Sequence, residues 1–198
     1  MKDFWNQRFG QEEYVYGLNP NNYLKEQLEK LTPGTLFLPG DGEGRNAVYA
    51  ASQGWQVDAM DYAISGQEKA LKLAKQQGVD IQYTVSDIAE YPLKQDYYDA
   101  MGLIYFHLSR EMRRTVFPKI IKGLKPGGLL FMEVYAKEQL GRKSGGPKDL
   151  DQLSSLEEVK EDFKDLDIEH LAIEEVPLSE GAYHQGLAMV VRLLGRRP

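Results

Sequence analysis

The chain has 198 residues, 24 Lys and Arg against 30 Asp and Glu, a net charge of −6 and no cysteine. That length suits one domain able to bury a full core, and the missing cysteine excludes disulfides, zinc–thiolate sites and thiol nucleophiles. The acidic balance argues against nucleic-acid binding, and no run resembles a secretory signal or a membrane span, so a cytoplasmic protein without membrane or nucleic-acid partners is expected.

Residues 20–31, opened by "NPNN" and carrying Leu24, Leu28 and Leu31 on one side, predict a helix. "TLFLP" (35–39) predicts a short buried strand, residues 43–52 a helix starting in a glycine loop, and "WQVDAM" (55–60) a second strand. A helix over 64–77 bears Ala70, Leu71 and Ala74, and "DIQYTV" (80–85) and "YDAMGLIYF" (98–106) are the third and fourth strands. The next helix, 110–123, sets Val116, Phe117, Ile120, Ile121 and Leu124 against Arg110, Arg113, Arg114, Lys119, Lys122 and Lys125, which read as its wet face. It stops at "GLKPGG", before a fifth strand "LLFMEVY" (129–135). Strands and helices alternating at this spacing imply parallel pairing through right-handed crossovers.

Residues 136–152 break the rhythm with a polar, glycine-bearing segment, long for a connection and so a candidate lid or binding loop. Ser154 or Ser155, with Glu157 or Glu158 three positions on, predicts a capping box for a helix carrying Leu156, Val159 and Phe163. Two further strands, 168–176 and 186–194, are joined by only nine residues, which favours an antiparallel pair. The second is apolar on both faces, as expected of a strand inserted inside a sheet. The expected fold is α/β, a doubly wound, mostly parallel seven-stranded Rossmann-like sheet with an antiparallel carboxyl-terminal strand pair. It forms a single domain over 1–198, with 1–31 as an amino-terminal cap and 136–165 as an insertion near the active site.

The chemistry gathers at the carboxyl ends of the first three strands. Gly40, Gly42 and Gly44 follow the first, where main-chain N–H groups and a helix start face the ligand crevice of open α/β sheets. Asp61, 17 residues after Gly44, closes the second strand, where a carboxylate would accept from both hydroxyls of a ribose. Asp87 follows the third, where it would face an adenine amino group. Together they describe an adenosine-shaped slot. An NAD(P)-dependent oxidoreductase would share that slot, but its fingerprint spaces the glycines as GxGxxG, and Arg45 stands where the third would fall.

The order GxGxG, Asp61, "SD" after the third strand, "YDAM", "LKPGGLL" and a terminal hairpin resembles the class I S-adenosylmethionine-dependent methyltransferases over nearly the whole chain. "EEYVYGLNP", "GEGRNAVYAA", "FHL" and "GPKD" look like the branch containing the tellurite-resistance and, more distantly, thiopurine methyltransferases. The resemblance implies a methyltransferase fold, an S-adenosylmethionine cofactor, no metal, and in-line methyl transfer to a small-molecule acceptor. It also implies that Gly40, Gly42 and Gly44 admit the methionine part, with Arg45 and Asn46 beside it. Asp61 would hold the ribose, Tyr62 lie on the adenine face, and Asp87 with the backbone of Ile88 read the adenine edge. Ile104 and Tyr105 would line the floor near the sulfonium. Leu38 departs from the family, which usually has an acidic residue there, and Pro39 is unusual; Asp41 or main-chain carbonyls would then hold the methionine amino group.

Acceptor contacts are expected from Tyr14, Tyr16, His107, Arg142 and His184, with His107 and Tyr16 as candidates for a catalytic role. Each also has a plain structural reading: a cap aromatic for the tyrosines, a helix-start or turn histidine, and a solvated loop charge for Arg142. A non-catalytic adenosyl-ligand-binding protein, with Leu38 and Pro39 marking a decayed donor site, is the remaining alternative.

Overall fold

The computed structural model describes residues 2–198. Seven strands, β1 (Thr35–Pro39), β2 (Gln56–Asp61), β3 (Gln82–Val85), β4 (Tyr98–Ile104), β5 (Leu124–Tyr135), β6 (Asp167–Glu180) and β7 (His184–Arg196), form one sheet in the order β3-β2-β1-β4-β5-β7-β6. The first five pair in parallel, and β7 is antiparallel to both of its neighbours. The order reverses between β1 and β4, which opens a crevice at their carboxyl ends.

Six helices surround the sheet: α1 (Lys2–Phe9), α2 (Asn22–Leu28), α3 (Arg45–Ser52), α4 (Ile64–Gln77), α5 (Arg110–Gly123) and α6 (Leu156–Asp162). Successive right-handed crossovers run outward from β1 in one direction and from β4 in the other, so α3 and α4 cover one face and α5 the opposite one. The core divides the same way. Leu24, Leu36, Ala47, Val57 and Leu73 pack on one side, and Phe117, Ile120, Leu130, Phe163 and Leu193 on the other. Complete burial of each such Leu or Phe contributes about 1.5–3 kcal/mol.

Local sequence explains the helix ends. Asn21 caps α2 by accepting from Leu24 N, Gly78 ends α4 in the left-handed conformation, and Ser155 and Glu158 form the expected capping box on α6. β7, apolar on both faces, lies between β5 and β6 as its composition requires.

The structure differs from the sequence reading in the terminal hairpin, at Arg113 and in the detail of residues 136–152. β6 and β7 extend toward one another until only residues 181–183 turn between them. Pro177, read as part of a loop, pairs with Leu187 on β6, an edge strand on which a missing N–H is tolerated. Arg113 is not on a wet face: its side chain is 4% exposed, and its guanidinium meets Ser154, Glu158 and Asp162. Finally, the 136–152 segment carries short 3-10 turns at Lys137–Gln139 and Leu150–Gln152. It is tied down through Gln139, which donates to Ser144 Oγ and accepts from Met189 N.

Candidate active site

Gly40 N and Asp41 N both donate to Met60 O, at 2.7 and 3.2 Å, which pins the glycine loop across the end of β2. Gly40, Gly42 and Gly44 have φ of +67°, +56° and +84°, a region that side-chain-bearing residues seldom adopt. A Cβ on Gly44 would stand 2.4 Å from Ala70 Cβ, so this glycine lets α3 pack against α4. On Gly40 a Cβ would meet Phe106 at 2.7 Å, and on Gly42 it would meet Phe9 at 2.9 Å. What comes close to these two glycines is therefore a pair of aromatic rings from the chain itself.

Asp61 ends β2 with its carboxylate accepting from Gly42 N at 3.2 Å and Ala63 N at 2.9 Å. Burial raises its pKa, and those N–H groups oppose the rise. Tyr62 follows; burial, then the Asp61 and Asp87 carboxylates, push its hydroxyl up to about 12, so both carboxylates bear on this ring. Asp87 is exposed and accepts from Ala89 N, while Ile88 beside it is buried. Asp41 accepts from Ala47 N at the start of α3. Burial pushes its pKa up to about 7, against the pull of Ala47, Asn46 and Arg45.

The carboxyl ends of β4 and β5 and the start of β7 bring together a second group. Tyr105 lies 4.8 Å from Tyr135 and 4.6 Å from His184, centroid to centroid, and Tyr16 lies 4.6 Å from His184. His107 stacks on Tyr135 at 5.5 Å with the planes 12° apart. Tyr105 has φ +49°, a strained backbone for a bulky residue that costs about 1–3 kcal/mol and tends to occur at functional sites. Its hydroxyl is buried without a hydrogen-bond partner, and burial, then Glu133 and Glu180, hold its pKa far above the usual range. The phenol stays protonated, so its O–H is left to donate.

Glu180 ties this group to the glycine loop, receiving Arg45 at 2.8 Å, His184 Nδ1 at 3.3 Å and Asn21 Nδ2 at 3.2 Å. Burial raises the Glu180 pKa, but His184 and Arg45 outweigh it and the net shift is downward. His184 is lowered by burial despite Glu180, so it remains neutral and donates from Nδ1. Arg45 also donates to the carbonyls of Tyr16 and Asn19, Asn46 Oδ1 accepts from Asn21 N, and Glu43 accepts from Val15 N. Arg45 and Asn46, expected beside a methionine tail, thus join Glu43 in clamping the 15–21 strap onto the site.

Of the expected acceptor contacts, Tyr16, His107 and His184 meet in this cluster around Tyr105 and Tyr135, while Ile104 packs in the core with Leu38 and Phe131. The other two acceptor candidates do not join the cluster. Tyr14 donates to Lys69 O on α4, and Arg142 pairs with Glu175 at the surface. His107 is a poor base: burial lowers its pKa to about 4, and Nδ1 contacts Gln152 O. Sequence reasoning missed Tyr135, Glu180, Phe9 and Phe106. Tyr135 closes a parallel strand, the same signal that pointed to Asp61, whereas Glu180 lay inside what read as a loop.

This donor set fits an adenosyl group: glycine main chain, a carboxylate at the end of β2 beside an aromatic ring, and a second carboxylate after β3. Residues 39–128 match the family model described as methyltransferase domain. That match spans just under half of the chain and takes in the glycine loop, Asp61 and Asp87. No curated protein sequence matches the chain.

Among solved structures, the chain is similar to a protein of echinomycin biosynthesis, associated with conversion of a disulfide bond into a thioacetal group. The TM-score is 0.78 at 14% identity, over all of this chain and 92% of that one. TehB from Haemophilus influenzae gives 0.74 at 15%, over all of this chain and 67% of that one. Phosphoethanolamine N-methyltransferase 2 from Haemonchus contortus, in complex with S-adenosyl-L-methionine, gives 0.69 at 18%, over 98% of this chain and 56% of that one. At these identities the likenesses establish the shared fold. Among the described residues no cluster of His, Cys, Asp or Glu suits a metal, and no helix is long and apolar enough to cross a membrane.

Proposed function

We propose that the protein transfers a methyl group from S-adenosylmethionine to a small molecule in the cytoplasm. The observation that carries this reading is the adjacency of two constellations along one row of strand ends. Asp41 lies within the glycine loop, Asp61 meets it at Gly42 N with Tyr62 and Asp87 following the ends of β2 and β3, and Tyr16, Tyr105, Tyr135 and His184 adjoin it through Arg45 and Glu180.

The cofactor, when bound, supplies an electrophilic methyl group. Asp61 would accept from the ribose hydroxyls, Tyr62 pack on the adenine, Asp87 and the Ile88 backbone read its edge, and Asp41 hold the methionine amino group. The aromatic group would exclude water and orient the acceptor, and such positioning supplies about 7–11 kcal/mol of barrier reduction. Tyr105, kept protonated, would donate to an acceptor lone pair. Burial lowers the pKa of both His107 and His184 and so makes them weak bases; the acceptor would arrive already nucleophilic, as a thiolate, amine or oxyanion. Access to the glycine backbone would require Phe9 and Phe106 to swing away from Gly42 and Gly40. The small-molecule chemistry named for the echinomycin and phosphoethanolamine neighbours supports this acceptor class.

The test is incubation with methyl-labelled S-adenosylmethionine and a panel of small thiols, amines and oxyanions. Label in a small-molecule product supports the reading. Tight S-adenosylhomocysteine binding with no transfer to any of them would favour a non-catalytic binder.

A further inference from the structure

On the face covered by α5 and α6, His107, Arg113 and Asp162 line a cavity of about 10 Å³ together with Phe117, Met132 and Val159. His107 Nε2, Arg113 Nε and Asp162 Oδ2 are each buried and lack a hydrogen-bond partner. Buried polar atoms are rarely left so, and a polar cavity of about 10–15 Å³ holds one water when two to four partners surround it.

The chemistry of the three atoms is complementary. Arg113 Nε–H only donates and Asp162 Oδ2, as a carboxylate oxygen, only accepts. They stand 3.5 Å apart, too far for a good direct bond. The remaining Arg113 nitrogens are engaged elsewhere, NH1 donating to Ser154 Oγ at 3.2 Å and NH2 lying 3.7 Å from Glu158. His107 Nδ1 is 3.0 Å from Gln152 O, a pure acceptor, so Nδ1 carries the ring proton and Nε2 presents a lone pair.

We propose that this cavity is a binding site for one water, which accepts from Arg113 Nε–H and donates to His107 Nε2 and Asp162 Oδ2. One water has the single acceptance and the two donations that these partners call for. The site makes His107 a positioning residue. Held at Nδ1 by Gln152 and at Nε2 by the water, its ring is fixed in the plane that stacks on Tyr135, 12° from parallel. Burial of the imidazole, which lowers its pKa to about 4, accords with a neutral ring. This water site stands independently of the methyl-transfer reading, because its three polar partners, on the loop after β4, on α5 and on α6, are given no contact to the cofactor in that reading.

The experiment is a long-range nitrogen–proton correlation spectrum of the histidine-labelled full chain at neutral pH, with a crystal structure resolving ordered solvent. His107 is expected as the Nδ1–H tautomer, with the Nε2 resonance displaced as in a hydrogen-bonded acceptor and one solvent peak within bonding distance of all three atoms. Asp162→Leu should return the Nε2 resonance toward its unbonded position, and Asp162→Asn, which keeps an acceptor oxygen, should restore the displacement. An Nε2–H tautomer, or a cavity without solvent density in the unmodified protein, overturns the proposal even if the leucine variant fails to fold.

Discussion

Asp41 sits inside the glycine loop with a pKa pushed up to about 7 by burial. The folded chain therefore holds a proton there that the unfolded chain, at the ordinary carboxyl value of 3.8, has already released. Its contribution to stability falls as pH rises from about 4 to about 7. Asp41→Asn should flatten that dependence, so denaturant midpoints of the variant relative to the parent should rise across this window. Ligand binding runs the other way. If the charged carboxylate holds an amino group, S-adenosylhomocysteine affinity should weaken below pH 7 by up to about tenfold per pH unit, and Asp41→Asn should lose that slope in calorimetric titrations. Affinity unchanged between pH 5 and pH 8 would remove Asp41 from the site. Asp61 separates fold from function differently. Its carboxylate already satisfies Gly42 N and Ala63 N, so Asp61→Ala should lower the melting temperature as well as cofactor affinity. Asp61→Asn keeps a carbonyl acceptor and should preserve more stability, yet still bind the cofactor about 10–100-fold more weakly through loss of a charge-assisted bond.

Among the elements, α1 and the strap after it cover the glycine loop. Phe9, stacked on Trp5 at 5.2 Å, rests against Gly42, while Arg45, Asn46 and Glu43 fasten residues 15–21. Phe9→Ala should speed association of S-adenosylhomocysteine, followed by Trp5 fluorescence in stopped flow; a slower rate would mean that Phe9 assists entry. Most of the sheet was legible because its evidence is local. β1, β2 and α4 follow from apolar periodicity and the Gly78 stop, and β7 announced its interior place by carrying Val190 and Val191 on opposite faces. The cap and hairpin were less so, because their contacts are non-local. Nothing near Phe9 in sequence indicates Gly42, and Glu180 becomes a site residue only when β6 brings it against Arg45 on α3. Arg113 misled for the same reason, since helical spacing shows which residues share a face and not that α6 later covers that face with Glu158 and Asp162.

The whole molecule is a seven-stranded doubly wound sheet whose residues 39–128 match the methyltransferase-domain family model, and its claim to a cofactor rests on the row of strand ends at β1, β2 and β3. The most direct test is thermal unfolding of the full chain with S-adenosylhomocysteine, S-adenosylmethionine and NAD in parallel. A ligand at about one hundred times its dissociation constant adds about 2.7 kcal/mol, which for a chain this size raises the melting temperature by roughly 5–10 °C. The account predicts that rise with both adenosyl ligands and none with NAD. A rise with NAD alone, or no rise with any of the three, would contradict it.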